Sequence, residues 1–142
     1  MRNDSEAERP LLIDTHYWLW YAAGSPELSE ADLSLIHAAA KSNNLLLSAI
    51  SVWETAMLES KHRIQLPKPC VQWIDEALAL PGISLVPLAP DIAIESSQLP
   101  GGFRLSLADR IIVATARVLG ARFLTSNKSM RAYCKESHVL LA

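Results

Sequence analysis

The stretch Ser106-Leu107-Ala108-Asp109-Arg110-Ile111-Ile112-Val113-Ala114-Thr115-Ala116-Arg117-Val118-Leu119-Gly120-Ala121-Arg122-Phe123-Leu124-Thr125 decides the fold class. Its first part sets Leu107, Ala108, Ile111, Ile112, Thr115, Val118 and Leu119 at i, i+3 and i+4 spacing, the stripe of a helix with one face in a core. Gly120 follows where a helix ends on a residue that tolerates a left-handed backbone. Arg122 to Thr125 then reads as a short buried strand. A helix that passes through one glycine turn into a strand is half of a strand–helix–strand unit, the building block of parallel sheet.

The same alternation extends in both directions. Leu11-Leu12-Ile13 and Leu45 to Ser48 read as buried strands, Ile83 to Leu88 as a third opened by the turn Pro81-Gly82, and Val139 to Leu141 as the last. Ser29 to Lys41 has a helical pattern. So does Val71 to Ala79, bracketed by Pro67 and Pro69 before it and Pro81-Gly82 after it. A further helix starts at Pro90 and ends near Pro100-Gly101-Gly102. The expected fold is α/β in three layers, a mostly parallel central sheet of about five strands with helices on both faces. Residues 1–10 read as a flexible polar leader and 11–142 as a single domain, with no internal repeat or low-complexity tract.

The chain has 142 residues, 50% of them hydrophobic, enough for a packed core without disulfides or a structural metal. Its 2 cysteines, Cys70 and Cys134, lack a CxxC partner or a nearby histidine pair, which argues against a zinc site and for a reducing compartment. Met1 to Pro10 lacks the apolar core of a signal peptide, and no uncharged run approaches the roughly 18 residues of a membrane span. The expected location is the cytoplasm.

Net charge is −2, but its distribution is uneven. From Gly101 onward Arg104, Arg110, Arg117, Arg122, Lys128, Arg131 and Lys135 face only Asp109 and Glu136. Such a skew can steer a phosphate chain, although solvated helix faces explain it equally well.

Ligand sites in open parallel sheets lie at the carboxyl ends of the strands, near a topological switch point. Asp14 closes the first strand, Glu54 follows the second within Ser51-Val52-Trp53-Glu54, Asp109 opens the long helix, and Asn127 follows the strand Arg122 to Thr125. Parallel strands would gather these four at one end of the sheet. Three carboxylates brought together repel unless a cation lies between them. Oxygen donors select Mg²⁺ or Mn²⁺, which can activate water against a phosphodiester. Each acid also has a structural explanation. Ser51-x-x-Glu54 and Ser106-x-x-Asp109 match the capping box, and Asp14 suits a helix N-cap. His16 is a candidate for outer-sphere support, and Arg110 for a phosphate contact or, more simply, a surface ion pair. Trp18, Trp20, Trp53 and Trp73 are read as core or interface residues, with base stacking as the alternative.

Together these residues resemble the PIN domains, and among them the VapC-type toxins of type II toxin–antitoxin systems. The resemblance runs through Leu12-Ile13-Asp14-Thr15-His16, Ser48-Ala49-Ile50-Ser51-Val52-Trp53-Glu54-Thr55-Ala56, Leu107-Ala108-Asp109-Arg110-Ile111-Ile112-Val113-Ala114-Thr115-Ala116 and Gly120-Ala121-Arg122-Phe123-Leu124-Thr125-Ser126. It also takes in Lys61-His62-Arg63-Ile64-Gln65-Leu66 and Leu99-Pro100. It implies a PIN-like three-layer domain and a Mg²⁺- or Mn²⁺-dependent endoribonuclease. A cognate antitoxin would restrain it, RNA would be its substrate, and a homodimer is common in the family. Carried over by position, Asp14, Glu54 and Asp109 match metal-site acids, and Asn127 completes the catalytic set. Thr15, His16, Arg110, Thr125 and Ser126 are candidates for supporting or substrate roles.

The chain departs from the family pattern in two places. Asn127 stands where many relatives have aspartate, which implies three formal negative charges instead of four and weaker binding of any second ion. Ser106-Leu107 stands where Asp-Pro is frequent. The Asn127 departure motivates an alternative, a PIN-fold module that binds a protein partner or RNA with little catalysis. An aspartyl-nucleophile phosphatase of the haloacid dehalogenase type fails on spacing, because position 16 is histidine where that chemistry wants a second aspartate. The apolar stretch Tyr17 to Ala23 is expected to be either a buried first helix or part of an antitoxin or dimer contact.

Overall fold

The computed structural model describes residues 8–136 and 139–142. The expected leader over 1–10 lies mostly outside them. Its last residues, Glu8 to Pro10, offer backbone carbonyls to the Asn44 side chain, to the Arg122 guanidinium and to the Arg122 N–H.

Four strands form one all-parallel sheet among the described residues: β1 (Leu11–Ile13), β2 (Leu45–Ser48), β3 (Ile83–Val86) and β4 (Arg122–Leu124), in the order β3-β2-β1-β4. Leu11 pairs with Leu45 on one side and Arg122 on the other, and Leu45 pairs with Ile83. The helices are α1 (Thr15–Ala23), α2 (Glu30–Lys41), α3 (Ala49–Ser60), α4 (Cys70–Leu78), α5 (Pro90–Gln98), α6 (Leu107–Leu119) and α7 (Lys128–Glu136). A short 3₁₀ turn at Gly102–Arg104 precedes α6. No helix among the described residues is long and apolar enough to cross a membrane.

Side-chain alternation along each strand explains the three layers. Leu11 and Ile13 point into one core with Leu45 and Leu47, where Trp18 of α1, Ile36 of α2 and Trp73 of α4 pack on them. Leu12 points the other way and meets Phe123, Ile112 and Val113 of α6, and Met130 and Tyr133 of α7. A smaller cluster joins Ile92 of α5 to Ile111 and Ala114. Helices thus cover both faces, as the alternating pattern requires.

Local signals fix most helix ends. Ser29 caps α2 by accepting from the Asp32 N–H at 3.2 Å, and Ser106 caps α6 by accepting from the Asp109 N–H at 3.1 Å. Gly120 ends α6 at φ 61° in the left-handed region. β3 stops at Val86, two residues short of the expected Leu88, because Pro87 has no N–H to continue the ladder. Where a fifth strand was expected at Val139 to Leu141, the chain makes a single parallel bridge, Leu141 to Phe123. It is held by Phe123 N–H donating to Leu140 and Ala142 N–H to Phe123.

From β1 the chain builds outward through β2 to β3, then crosses to the opposite side of β1 to lay down β4. The strand order therefore reverses between β1 and β4. The crevice beyond their carboxyl ends, occupied by Asp14 on one strand and Thr125 to Asn127 on the other, is where such a sheet places a ligand.

Candidate functional site

Asp14 leaves β1 in extended backbone and caps α1, one of its oxygens accepting from the Tyr17 N–H at 2.9 Å. Its other oxygen accepts from the Thr125 hydroxyl at 2.5 Å, and the Asp14 N–H donates to the Leu124 carbonyl at 3.2 Å. The carboxylate is thereby held from α1 on one side and from the end of β4 on the other. The N-cap foreseen for it is formed, and the same residue lines the cavity at the switch point.

Glu54 reaches the same place from α3. The capping box read in Ser51-x-x-Glu54 is not formed. Ser48 is the N-cap, accepting from the Ile50 N–H at 3.2 Å, so Ser51 and Glu54 both lie inside the helix. Glu54 instead accepts from the Thr15 hydroxyl at 2.5 Å, and Thr15 Oγ1 lies 2.9 Å from the fully buried Ser51 Oγ. A hydroxyl has one proton, and the carboxylate takes that of Thr15, so Ser51 is the donor in the second contact. Ser51 is a positioning residue that the capping reading obscured. Asp109, by contrast, does sit in a capped first turn, its N–H donating to Ser106 Oγ at 3.1 Å.

Asp14, Glu54 and Asp109 open onto one cavity of about 310 Å³, which Thr15, His16, Ser126 and Asn127 also line. Trp20, Ile112 and Met130 complete its wall. Thr125 is buried beneath it. Asn127 arrives at the rim already engaged, its Oδ1 accepting from the Met130 N–H at 3.1 Å as the cap of α7. That bond fixes the amide orientation and leaves Nδ2, a donor, as the group free of the cap.

Arg110 does not join the cavity lining. Neighbouring helix residues point about 100° apart, so Asp109 faces the cavity while Arg110 runs under Gly102. It makes none of the ion pairs found among the described residues, and its Nε is buried without a hydrogen-bond partner there. The basic skew of the last third is partly neutralised by pairing: Arg122 is buried, Arg104, Lys128 and Lys135 are exposed, and several of the others are engaged. Arg104 pairs with Glu136 at 3.1 Å and Arg117 with Glu95 at 2.9 Å, while Arg131 donates to the Thr125 carbonyl at 3.2 Å.

The electrostatics are those of a site short of positive charge. Burial holds the Asp14 carboxyl above its ordinary range, with the charge of Glu54 adding to it, against the Thr125 and Tyr17 hydrogen bonds. Burial also raises Asp109, followed by the charge of Glu54 and, more weakly, of Asp14. All the charged donors are oxygens, the chemistry of a hard cation. Among the described residues no three His, Cys, Asp or Glu side chains form a ready-made metal cage. The acids surround a cavity, which fits an ion held by few carboxylates and several waters.

A stability prediction follows from these shifts. A carboxyl raised in the fold contributes stability that is complete below its unfolded pKa and is lost as pH rises through the folded one. In EDTA at neutral pH, Asp109→Asn should therefore melt above the parent, and the gap should close on acidification toward the ordinary 3.8. Added divalent cation should raise the melting temperature of the parent and do so much less for the variant. Parallel melting curves at all pH values would refute the charge assignment.

With the geometry in hand, comparison with known proteins is direct. The PIN domain pattern matches residues 11–136. The chain belongs to the PIN-domain family. It is 32% identical over 123 residues to "Ribonuclease VapC22" of Mycobacterium tuberculosis, covering 87% of this chain and 91% of that one. Among solved structures, a toxin–antitoxin complex from Klebsiella pneumoniae contains a chain with the same fold, at TM-score 0.59 and 23% identity, covering 86% of this PIN domain chain and 90% of the other. VapBC2 from Rickettsia felis, bound to a promoter DNA fragment, gives TM-score 0.66 at 13% identity, with 92% and 95% covered. At these identities the solved structures speak to the fold alone.

Proposed function

We propose that this PIN domain is a metal-dependent endoribonuclease toxin of a toxin–antitoxin pair. It would use Mg²⁺ or Mn²⁺ held by Asp14, Glu54 and Asp109. The observation that carries the reading is the convergence of those three acids, from three separate elements, on one cavity at the strand switch point. The likeness to a curated ribonuclease across most of both chains supports it.

When bound, the ion supplies positive charge against a phosphate and lowers the pKa of a water. The protein's own contribution is placement. Thr125 and the Tyr17 N–H hold Asp14 in one orientation, Thr15 and Ser51 hold Glu54, and the Ser106 cap holds Asp109. Asn127 Nδ2 and the Ser126 hydroxyl stand at the rim as donors for a phosphate oxygen or a water. The partners are an RNA substrate, a cognate antitoxin and, as a homodimer, a second copy of the chain, all in the cytoplasm.

The test is cleavage of total RNA by purified protein freed of antitoxin, with Mg²⁺ or Mn²⁺ and then with EDTA. The expected result is cutting that needs the metal. Asn127→Asp keeps a competent helix cap and adds the missing carboxylate, so it should lower the metal concentration needed for half-maximal cutting. A parent that never cuts, beside an Asn127→Asp variant that does, would instead favour the binding-module reading.

A further inference from the structure

A site built only to hold a cation and a phosphate has no use for an indole, yet Trp20 lies in its wall. His16 and Trp20 are four residues apart on α1 and so share a face of the helix. Their ring centroids are 6.1 Å apart at an interplanar angle of 52°. Trp20 is steadied from behind by the edge of Tyr17 at 5.4 Å, and Tyr17 is tied down by its phenol donating to Asp32 Oδ2 at 2.7 Å. The contrast with its neighbour is informative. Trp18 is fully buried and its Nε1–H donates to the Ala77 carbonyl at 3.4 Å, whereas Trp20 is half-buried and its indole N–H has no acceptor among the described residues. Trp20 is thus a braced aromatic surface, backed by the core and open to the cavity that holds the carboxylates. Ile112 and Met130 give that cavity an apolar part in addition to its acidic one.

We infer that His16 and Trp20 form a stacking platform for an unpaired nucleobase of the RNA, next to the phosphate held at the carboxylate centre. Every base has a π face, and one base on an aromatic side chain contributes about 1–3 kcal/mol. Bases inside a duplex already stack on each other, so only an unpaired nucleotide can present a free face. Acidic side chains repel a phosphate chain, and a non-ionic contact of this kind offsets that repulsion. The inference rests on the ribonuclease reading of the same cavity, and binding and cutting separate the two.

The experiment is equilibrium binding of a short fluorescent single-stranded oligoadenylate in EDTA and low salt, with its oligouridylate duplex as control. Trp20→Leu keeps the apolar backing and removes the π face. It should weaken single-strand binding roughly tenfold to a hundredfold, while Trp20→Phe loses much less and duplex binding is unchanged. His16→Ala, at an exposed position that folding does not need, should weaken it in the same direction. Placing an abasic site in turn along the oligonucleotide should identify one position at which the Trp20→Leu effect disappears. Parental binding by both Trp20→Leu and His16→Ala, with cooperative melting intact, overturns the platform, and so does a loss in those variants of antitoxin binding alone. A protein that binds through Trp20 without ever cutting keeps the platform and loses the nuclease. One that cuts with unchanged KM in Trp20→Leu keeps the nuclease and loses the platform.

Discussion

Asp14→Asn should give a folded protein whose metal-dependent RNA cleavage falls about a thousandfold or more. A metal site contributes several kcal/mol of charge stabilisation in the transition state, and each 1.36 kcal/mol is a factor of about ten in rate. Asp14 has the most constrained carboxylate of the three, since the Thr125 hydroxyl at the end of β4 and the Tyr17 N–H of α1 each hold one of its oxygens. The substitution is chosen because asparagine is as good an N-cap as aspartate. Its carbonyl can still accept from the Tyr17 N–H, so α1 keeps its start. On the other side the amide faces Thr125, whose hydroxyl can turn from donor to acceptor. What is lost is the charge, on a group that burial already disfavours as an anion.

The measurement is cleavage under single-turnover conditions with Mg²⁺ or Mn²⁺, alongside circular dichroism and melting of the same samples. Parental cutting by a variant that melts like the parent would remove Asp14 from the metal site. A variant that neither cuts nor folds would be uninformative alone. Asp109→Asn, half-buried at the same cavity but carried by α6 and not by either strand, then serves as the independent probe and should lose activity on the same order. Its failure to do so would reject the shared-ion arrangement.

The sequence carried most of this site because its residues follow rules that are local. A strand of three apolar residues followed by Asp14, a capped helix holding Asp109, and a strand followed by Asn127 each name their own place, and parallel topology brings them together. Less legible were features set by contacts between distant segments. Ser51-x-x-Glu54 has the spacing of a capping box, but Ser48 already provides the cap, so the pattern within the helix serves Thr15. Trp20 is one of four tryptophans, and only the packing of Tyr17 and Trp18 decides that it, and neither Trp18 nor Trp73, faces the cavity. Helix α7 was not foreseen. Its Lys128-Ser129-Met130-Arg131 start is polar, and its buried residues Met130, Tyr133 and Cys134 acquire a core only because Phe123 and Val139 lie beneath them. The basic third was legible as a count. Its partners Glu95, Glu136 and the Thr125 carbonyl were not.

The largest stability effect expected outside the core belongs to Gly82→Ala, for a reason that the turn signal Pro81-Gly82 only half discloses. Gly82 has φ 82°, a conformation L side chains rarely adopt, and a Cβ built on it would lie 1.9 Å from the Ala40 carbonyl oxygen and 2.5 Å from its carbon. Those are backbone atoms near the end of α2, and the same oxygen accepts from the Asn43 N–H at 3.0 Å in the turn toward β2. The Gly82 carbonyl in turn accepts from the Leu45 N–H at 3.3 Å, one step before the Leu45–Ile83 pair begins the β2–β3 ladder. A methyl group here must therefore push the end of α2 away from the point where two strands start to pair. Backbone strain and overpacking each cost about 1–3 kcal/mol, so their sum is about 2–6 kcal/mol, centred on about 4. For a domain of this size that lowers the melting temperature by roughly 10–15 °C. Gly24→Ala isolates the contact from the dihedral, because Gly24 has φ 63° with nothing within 4 Å of its built Cβ, and it should cost only about 1–2 kcal/mol. Equal destabilisation of the two variants in urea would mean that α2 and the Gly82 turn do not approach this closely. A much larger loss at Gly82 would show that the glycine is required by the neighbouring helix as much as by its own turn.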